Sequence, residues 1–353
     1  MRLWCLVKGF CGILPAPVRP CAIFASLIRY TLQPESILSL IAADMEAVDT
    51  LIRRRLDSDV VLVRRIAEYI IGSGGKRLRP ALVLLVAGAF GYRGTHHYEL
   101  AAVVEFIHTA TLLHDDVVDE SELRRGRKTA NAEFGNAASV LVGDFLYSRA
   151  FQMMVSVQSM RVMEVLADAT NTIAEGEVLQ LLNTHNAATG EDEYLNVIRR
   201  KTAKLFEAAA QIGAILGGAG AGLEQSLARY GAHLGTAFQL IDDVLDYSGD
   251  AQETGKNLGD DLNEGKPTLP LIYAMRHGTP EAAALVRRAI EKGGREDFGA
   301  VLAAVRQSGA LAYARTQAEQ ESRNASDALE SLPNSKYKQS LLELARFAVE
   351  RSY

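Results

Sequence analysis

The segment LAAVVEFIHTATLLHDDVVDE, residues 100–120, ends a long apolar run with a group of acidic side chains. The run is too long for a β-strand, and its composition indicates a buried helix. Three of the acids, Asp115, Asp116 and Asp119, follow the pattern D-D-x-x-D. Like charges repel at this separation, and an apolar flank raises the cost of desolvating them. The segment therefore predicts a helix whose acidic end needs a partner of opposite charge.

The same pattern of acids recurs in a second apolar segment, YGAHLGTAFQLIDDVLDY, residues 230–247. Its members are Asp242, Asp243 and Asp246. Residues i and i+4 lie about 40° apart around a helix, so the first and last acids of each triplet share a face. Carboxylates from two such helices converge if the helices face each other.

Converging carboxylates are unfavourable unless cations lie between them. All-oxygen ligands indicate a hard divalent ion, and Mg²⁺ commonly bridges a few carboxylates to the phosphate oxygens of a substrate. One D-D-x-x-D alone is more often an ordinary charged helix face, because short motifs recur by accident. Two copies, each after a hydrophobic helix, favour metal binding. A general acid/base pair is a further option, although six carboxylates exceed what that role needs.

The rest of the sequence also predicts helices. No proline occurs in residues 81–266, which indicates long helices joined by short connections. Residues 162–182 carry apolar side chains at helical spacing, and the Thr-Pro-Glu of 279–281 is typical of a helix start. We find no sustained period-two alternation. The prediction is an all-α fold, a single large bundle of roughly ten or more helices around a deep central cavity, over residues 35–353.

Length, composition and charge limit the class of protein. The 353 residues are 48% hydrophobic and 23% charged, which is ordinary globular composition with material for a large core. The formal net charge of −5 gives no support to nucleic-acid binding. All three cysteines, Cys5, Cys11 and Cys21, lie near the start. A disulfide framework or a cysteine metal site in the main body is therefore excluded, which fits a reducing cytoplasm.

Residues 1–34 form an N-terminal extension of different composition. They contain no acidic residue, and their apolar runs are interrupted too often for a transmembrane span. An acid-free segment with arginines is typical of a transit peptide. Translation from an upstream start codon is the other interpretation, and it is the one we favour. The extension is excluded from the fold prediction.

Basic residues occur beside both acidic motifs. The glycines of GSGGKRLRP, residues 72–80, precede a predicted helix, and a helix N-terminus with basic residues suits an anion. A single basic residue is more often a solvated surface charge than a ligand, so their clustering is what matters. Carboxylates, cations and an apolar interior together suit a substrate with a diphosphate head and a hydrocarbon tail. The further basic segments are ELRRGRKT (122–129), RRKTAKLF (199–206) and TGKNLGDDLNEGKPT (254–268).

These motifs resemble those of the trans-polyprenyl diphosphate synthase family, and the similarity is closest to its proteobacterial octaprenyl diphosphate synthases. The resemblance runs from about residue 35 to the C-terminus, and the order of its motifs makes it highly specific. The motifs are GGKRLRP, HTATLLHDDVVDESELRRGRKTAN, FGNAASVLVGDFLY, KTAKLFEAAAQ, FQLIDDVLDY and GKNLGDDLNEGKPTLPL.

The resemblance implies an activity. A Mg²⁺-dependent prenyltransferase would condense an allylic diphosphate, farnesyl diphosphate, with successive molecules of isopentenyl diphosphate. The product would be all-trans octaprenyl diphosphate, the precursor of the ubiquinone side chain. Three Mg²⁺ ions bridging to diphosphate are implied. The resemblance also implies a homodimer in the cytoplasm, and a product too apolar for water would require transient contact with a membrane.

Roles for individual residues follow from the same resemblance. The implied metal ligands are Asp115, Asp119, Asp242 and Asp246, with support from Asp116, Asp243 and Asp261. The implied contacts to the allylic diphosphate are Arg124, Lys201, Thr202, Gln239, Lys256 and Lys266. Of these, Lys201, Thr202 and Gln239 are also implied to be catalytic, together with Asp115, Asp116, Asp119, Asp242 and Asp243. The implied isopentenyl diphosphate site consists of Lys76, Arg79, His108 and Arg125.

Product length is expected to depend on one face of the first acidic helix. Nothing aromatic lies on the face that continues from Asp115, so nothing there blocks a long tail. In the family, bulky residues four and five positions before the first aspartate stop elongation of the hydrocarbon chain early. Here those two positions hold Thr111 and Ala110, which are both small. We expect Ala110→Tyr or Thr111→Phe to shorten the product, and residues 143–154 to provide the tunnel floor. At about 100° per residue, the side chains on this face are those of Thr111, His108, Val104 and Ala101.

Three alternatives remain open. A synthase of another product length, such as decaprenyl, solanesyl or geranylgeranyl, would share every motif. A terpene cyclase shares the first acidic motif, but it typically carries an Asn/Ser/Glu metal motif in place of the second. A regulatory subunit of a heteromeric synthase usually has degraded acidic motifs, whereas both motifs are intact here.

Overall fold

The computed structural model describes residues 38–72, 74–124, 126–248 and 258–351. Within these ranges the protein is almost entirely helical, which confirms the predicted all-α fold. None of the helices described combines the length and the apolar character needed to cross a bilayer. After a 3-10 turn at Ser39–Ile41, the helices are α1 (Ala42–Arg55), α2 (Val61–Ile71), α3 (Leu78–Ala89), α4 (His96–Val118), α5 (Ala130–Phe134), α6 (Asn136–Ser156), α7 (Met160–Asn183), α8 (Glu191–Ile198), α9 (Lys204–Leu216), α10 (Ala221–Ser248), α11 (Asp260–Asn263), α12 (Leu269–His277), α13 (Pro280–Lys292), α14 (Phe298–Gln307), α15 (Ala310–Ala328) and α16 (Lys336–Glu350).

The helices predicted from apolar spacing are present. Residues 100–120 fall in α4 and its C-terminal end, residues 162–182 in α7 and residues 230–247 in α10. The predicted helix start is also confirmed, because the Thr279 hydroxyl accepts a hydrogen bond from the backbone N–H of Ala282 at 3.2 Å. Local sequence therefore decides where these helices lie along the chain.

A short antiparallel hairpin follows α4. Its strands, β1 (Leu123–Arg124) and β2 (Arg127–Lys128), are the only ones in the part of the chain that the structure describes. The hydroxyl of Tyr69 on α2 donates to the backbone carbonyl of Lys128 at 2.8 Å. The hairpin therefore fixes the basic segment after the first acidic motif against the bundle.

The two helices that carry the acidic motifs lie deep in the packing. α4 packs against α3 and α6, whereas α10 packs against α9 and α15. Phe106 of α4 and Tyr230 of α10 are among the largest side chains that are fully buried. Because close-packed interiors deform little, this packing gives the two motifs fixed positions.

α9 and α10 approach each other closely at Gly231. A Cβ at this position would lie 2.3 Å from the backbone oxygen of Phe206, so the contact requires glycine. One turn later, a Cβ at Gly235 would lie 2.6 Å from the Cα of Ala203. These glycines let α10 pack directly against the backbone that follows Lys201.

We expect Gly231→Ala to lower the free energy of unfolding by roughly 1–3 kcal/mol or more, because the clash is with backbone that cannot rotate away. Urea denaturation followed by circular dichroism measures the change. Gly222→Ala is the matched control, since a Cβ at that position of α10 meets nothing within 4 Å. The control is expected to be neutral or slightly stabilising. An equal loss of stability in both variants would contradict the close approach.

Candidate active site

A cavity of about 820 Å³ brings together both acidic motifs. Asp115 and Asp119 line it from the end of α4, and Asp242, Asp243 and Asp246 line it from α10. The predicted convergence of carboxylates is therefore present. Of the predicted substrate contacts and supporting residues, the cavity is also lined by Lys76, Arg79, His108, Arg124, Lys201, Thr202, Gln239, Asp261 and Lys266.

Three of the predicted residues are not among those that line the cavity in the described part of the chain. Arg125 and Lys256 fall outside the described residues. Asp116 is fully buried behind the cavity, where it accepts hydrogen bonds from Nε and Nη2 of Arg124 at 2.9 and 2.7 Å. The side-chain amide of Asn131 donates to the backbone carbonyl of Asp116 at 3.0 Å. Asp116 therefore positions Arg124, and it does not itself face the cavity.

Lysines neutralise the first acidic motif. Nζ of Lys201 lies 3.6 Å from Oδ2 of Asp115, and Nζ of Lys266 lies 2.8 Å from Oδ2 of Asp119. Lys201 also donates to Glu177 of α7 at 2.5 Å. Burial raises the pKa of Asp115, because removal from water disfavours the charged form, while Lys201 opposes the shift.

The second motif has partners of a different kind. Nη2 of Arg351 lies 2.7 Å from Oδ1 of Asp242. Asp246 accepts hydrogen bonds from the backbone N–H groups of Asp260 and Asp261 at 3.2 and 3.3 Å. Since Asp260 begins α11, the carboxylate of Asp246 lies where helix N–H groups and their dipole favour negative charge.

A line of hydrogen bonds connects the second motif to the segment after α8. The Thr202 hydroxyl donates to Oε1 of Gln239 at 3.0 Å, and Nε2 of Gln239 donates to Oδ1 of Asp243 at 2.8 Å. The Tyr194 hydroxyl donates to Oδ2 of the same carboxylate at 2.5 Å. Burial raises the pKa of Asp243 well above its usual range. The hydrogen bonds to Tyr194 and Gln239 hold Asp243 in place, and Asp243 in turn orients Gln239.

Lys201 and Thr202 belong to a π-helical turn, Arg199–Ala203, between α8 and α9. Such turns are rare and are frequent at functional sites. The turn packs on α7 at Gly176, where a Cβ would lie 2.7 Å from the backbone nitrogen of Lys201. This close approach brings the neighbouring Glu177 to the Lys201 ammonium.

The predicted isopentenyl diphosphate residues lie near the start of α3 and on α4. Lys76 and Arg79 flank the start of α3, and their cationic groups lie 5.9 Å and 4.3 Å from the ring centroids of Phe238 and Phe206. His108 lies on α4, two turns before Asp115. The two basic groups and the imidazole all line the first cavity, and an aromatic pair packs against the two basic groups.

The carboxylates fit a hard divalent cation in their chemistry, because every donor is a carboxylate oxygen. In the described ranges, however, no three side chains of the metal-ligating types are already gathered closely enough to hold an ion. Lys201, Lys266 and Arg351 instead contact the carboxylates. The arrangement suits ions whose remaining ligands come from a substrate's phosphate oxygens.

A second cavity, of about 1140 Å³, lies beside the first. α4, α6 and α7 contribute its apolar and aromatic lining, including Tyr147, Phe151 and Ile173. Thr111, Asp115 and several other residues line both cavities. Residues 143–154, expected to provide the tunnel floor, contribute Asp144, Tyr147, Ser148 and Phe151 to this lining, and their role in product length stays a prediction. The residues common to both cavities are Thr111, Asp115, Asp119, Ile173, Glu177, Gln180 and Lys266.

Only the part of the predicted tail face that lies nearest Asp115 lines these cavities. Thr111 lines both cavities and His108 lines the first. Val104, Ala101 and Ala110 are fully buried in the hydrophobic core and appear in the lining of neither. An ideal helix gives the direction of a side chain, but neighbouring helices decide whether space lies in that direction.

Sequence reasoning missed Glu177, Tyr194 and Arg351. Glu177 and Tyr194 lie in segments with ordinary helical patterns, and Arg351 lies at the far end of the chain. No local motif marks any of them. Glu177 is identified only by its contact with Lys201, from which one helix, α8, separates it in the chain.

Burial raises the pKa of Glu177 to about 7, although the ion pair with Lys201 opposes the shift. A carboxyl whose folded pKa is raised binds more protons in the folded state. Its contribution to stability is therefore complete below about pH 4.5 and is lost as the pH rises through about 7. We expect metal-free Glu177→Gln protein to lose less stability than wild type between pH 5 and 8, by at most about 3 kcal/mol. Urea midpoints across this range measure the difference.

The control for this prediction is Glu175→Gln, an exposed carboxylate on the same helix that pairs with Arg200. It is expected to follow the pH dependence of the wild type. Parallel curves for the wild type and Glu177→Gln would show that Glu177 does not titrate in this range.

The sequence and the structure match known proteins over most of the chain. A family model described as polyprenyl synthetase matches residues 60–307. The chain is 55% identical to the octaprenyl diphosphate synthase of Escherichia coli (strain K12) over 318 residues, which cover 90% of this chain and 98% of the relative. It is 48% identical to the all-trans-nonaprenyl-diphosphate synthase (geranyl-diphosphate specific) of Rhodobacter capsulatus over 318 residues, with the same two shares covered.

A solved structure gives the same result. The polyprenyl synthase from Caulobacter crescentus CB15, complexed with calcium and isoprenyl diphosphate, superposes with a TM-score of 0.89 at 45% identity, covering 92% of this chain and 99% of that chain. The residues matched by the family model include both acidic motifs and all four basic segments. The chain belongs to the polyprenyl synthetase family.

Proposed function

We propose that this protein is an octaprenyl diphosphate synthase that requires Mg²⁺ and elongates farnesyl diphosphate with successive isopentenyl diphosphates. One observation carries the proposal: a cavity lined by both acidic motifs and the basic segments shares a wall with a second, more apolar cavity. A diphosphate head and a growing hydrocarbon tail need these two environments side by side. The octaprenyl diphosphate synthase of Escherichia coli, at 55% identity, supports the product length.

The allylic diphosphate would bind between the acidic motifs. Asp115, Asp119, Asp242 and Asp246 would hold the Mg²⁺ ions, which when bound neutralise the charge that develops on the departing diphosphate. Lys201 and Lys266 already contact the first motif, so their ammonium groups would be available to phosphate oxygens bound between the motifs. Arg124, fixed by the buried Asp116, would add a guanidinium in a set orientation.

Carbon–carbon bond formation would take place between the two substrate sites. Lys76, Arg79 and His108 would hold isopentenyl diphosphate so that its double bond meets the allylic carbon. The oriented dipoles of Thr202 and Gln239 would stabilise positive charge on that carbon without trapping it. The proton lost from the condensed chain would pass to the released diphosphate, and exclusion of water would prevent quenching to an alcohol.

The proposal includes a homodimer that contacts a membrane transiently. Large apolar side chains of α6 and α7 are exposed on the isolated chain, among them Leu141, Val155, Leu181 and Leu182. Exposed apolar side chains of this size commonly contribute to interfaces between proteins where they adjoin one another. A product with a long hydrocarbon tail is too apolar for water, so a membrane would receive it.

Sizing the products of the purified enzyme tests the proposed function. With farnesyl diphosphate, isopentenyl diphosphate and Mg²⁺, we expect octaprenyl products after dephosphorylation and chromatography, from protein that sediments as a dimer. Asp115→Asn and Asp242→Asn are expected to lower turnover by orders of magnitude while the fold is retained, since asparagine keeps the size of the side chain and one hydrogen-bonding oxygen for the neighbouring cation. Nonaprenyl or decaprenyl products would correct the length alone. A Mg²⁺-independent reaction, or active aspartate variants with lowered melting temperatures, would contradict the site.

Thr111→Phe is expected to shorten the product to about fifteen or twenty carbons. Thr111 lines both cavities about one turn from Asp115, so a phenyl ring there would fill the space that a longer hydrocarbon tail needs. Condensation itself should continue, and chromatography of dephosphorylated products measures the change. Thr111→Val, which adds no bulk, is the control and should keep the long product. Ala110→Tyr tests the position suggested by the family resemblance alone. Unchanged long products from both bulky variants would place the tail elsewhere.

A further inference from the structure

Arg351 reaches the active-site cavity from the C-terminal end of the chain. It directly follows α16, and its side chain lines the same cavity as the acidic motifs although it is only 1% exposed. It lies beyond residues 60–307, the part matched by the family model. None of the basic segments that predicted the site contains it.

Several contacts fix the guanidinium of Arg351 in place. Its Nη2 donates to the backbone carbonyl of Phe238 at 2.7 Å, and its Nε donates to that of Ala348 at 3.3 Å. The guanidinium carbon lies 3.9 Å from the centroid of the Phe238 ring, a favourable position for a cation over an aromatic face. Arg351 therefore belongs to the cavity wall and is not a surface charge in chance contact.

Arg351 also contacts a carboxylate of the second acidic motif, because its Nη2 lies 2.7 Å from Oδ1 of Asp242. Asp242 is the first aspartate of the second motif, and its side chain remains 45% exposed toward the open cavity. The same arrangement occurs in the first motif, where Lys201 and Lys266 contact Asp115 and Asp119. Each of these three aspartates therefore has a cationic side chain of the protein beside it.

A divalent cation that binds through Asp242 approaches a carboxylate that already has a positive charge beside it. Two cations at one carboxylate repel each other strongly in a partly desolvated site. Arg351 cannot lose its charge, because a guanidinium stays protonated in proteins. The charge of Arg351 therefore opposes metal binding at Asp242, whichever of the two carboxylate oxygens the metal takes.

We propose that Arg351 is a built-in counter-ion of the second acidic motif, which competes with the divalent cation for Asp242 and so sets the metal concentration at which this half of the site fills. The inference rests on the proposed metal-dependent function. Its consequence is that the metal-free site stays assembled, because the cluster of carboxylates on α10 is never without a compensating charge. Filling by metal then requires enough free ion to replace an intramolecular partner.

Calorimetric titration of metal-free protein with Mg²⁺ or Mn²⁺ tests this competition, with saturating inorganic diphosphate supplying the phosphate oxygens and neither substrate present. Arg351→Gln is expected to bind the metal about tenfold more tightly than wild type, as follows from losing one competing charge-assisted hydrogen bond. The melting temperature of the metal-free variant should fall, because Asp242 loses its partner. Arg351→Lys keeps the positive charge but lacks the planar guanidinium with its paired N–H donors. Its metal affinity should therefore lie between those of the wild type and Arg351→Gln.

Arg315→Gln is the matched control. Arg315 contacts the backbone carbonyl of Val349 at the same end of α16, at 3.4 Å, but is absent from the cavity lining. This variant removes an equal charge near the C-terminus and should leave metal affinity unchanged. Combining Arg351→Gln with Asp242→Asn isolates the pair: in protein that already carries Asp242→Asn, the arginine substitution should have no further effect on metal affinity.

Unchanged or weaker metal binding by Arg351→Gln, in protein with a wild-type circular dichroism spectrum, would overturn the proposal. So would an effect that persists fully in the Asp242→Asn background. If Arg351→Gln does not fold, Arg351→Lys decides, because an affinity equal to that of the wild type would exclude competition dependent on the guanidinium. Since no substrate is present, failure of the proposed synthase activity is a separate outcome. Inactive protein with the expected metal affinities would reject that activity and retain the role of Arg351.

Discussion

The cost of gathering carboxylates in a partly desolvated cavity is the constraint on which the rest of the structure depends. Isolated carboxylates at this depth would take up protons and lose the charge that a metal site needs. The protein avoids this by placing a cation beside Asp115, Asp119 and Asp242 and backbone N–H groups beside Asp246. The acidic site is therefore stable before any metal binds.

The helices serve this electrostatic requirement through rigid packing. α4 and α10 are buried along much of their length, so they present their aspartates from fixed positions. The glycines at 176, 231 and 235 let neighbouring backbones come close enough to hold the turn that carries Lys201. Apolar packing provides the geometry, and the geometry keeps opposite charges within contact distance.

The same bundle separates polar from apolar chemistry. Carboxylates concentrate at the ends of α4 and α10, whereas the second cavity adds aromatic and aliphatic side chains of α6 and α7 to charged residues such as Asp144 and Glu177. Thr111 and Asp115 stand on the wall between the two regions. A substrate with a diphosphate head and a hydrocarbon tail can thus be held in one position while its two ends meet different surroundings.

The sequence by itself determined the helical fold, the helices at 100–120, 162–182 and 230–247, and most of the charged residues that line the first cavity. It could do so because helical periodicity is local and because the acidic and basic motifs are compact. Only the tertiary structure decided that Asp116 faces Arg124 instead of the cavity, that Ala110 lies in the core, and that Glu177 and Arg351 reach the charged site. Those outcomes depend on contacts between residues distant in the chain, since the direction of a side chain on an isolated helix does not reveal which neighbour or cavity it will meet.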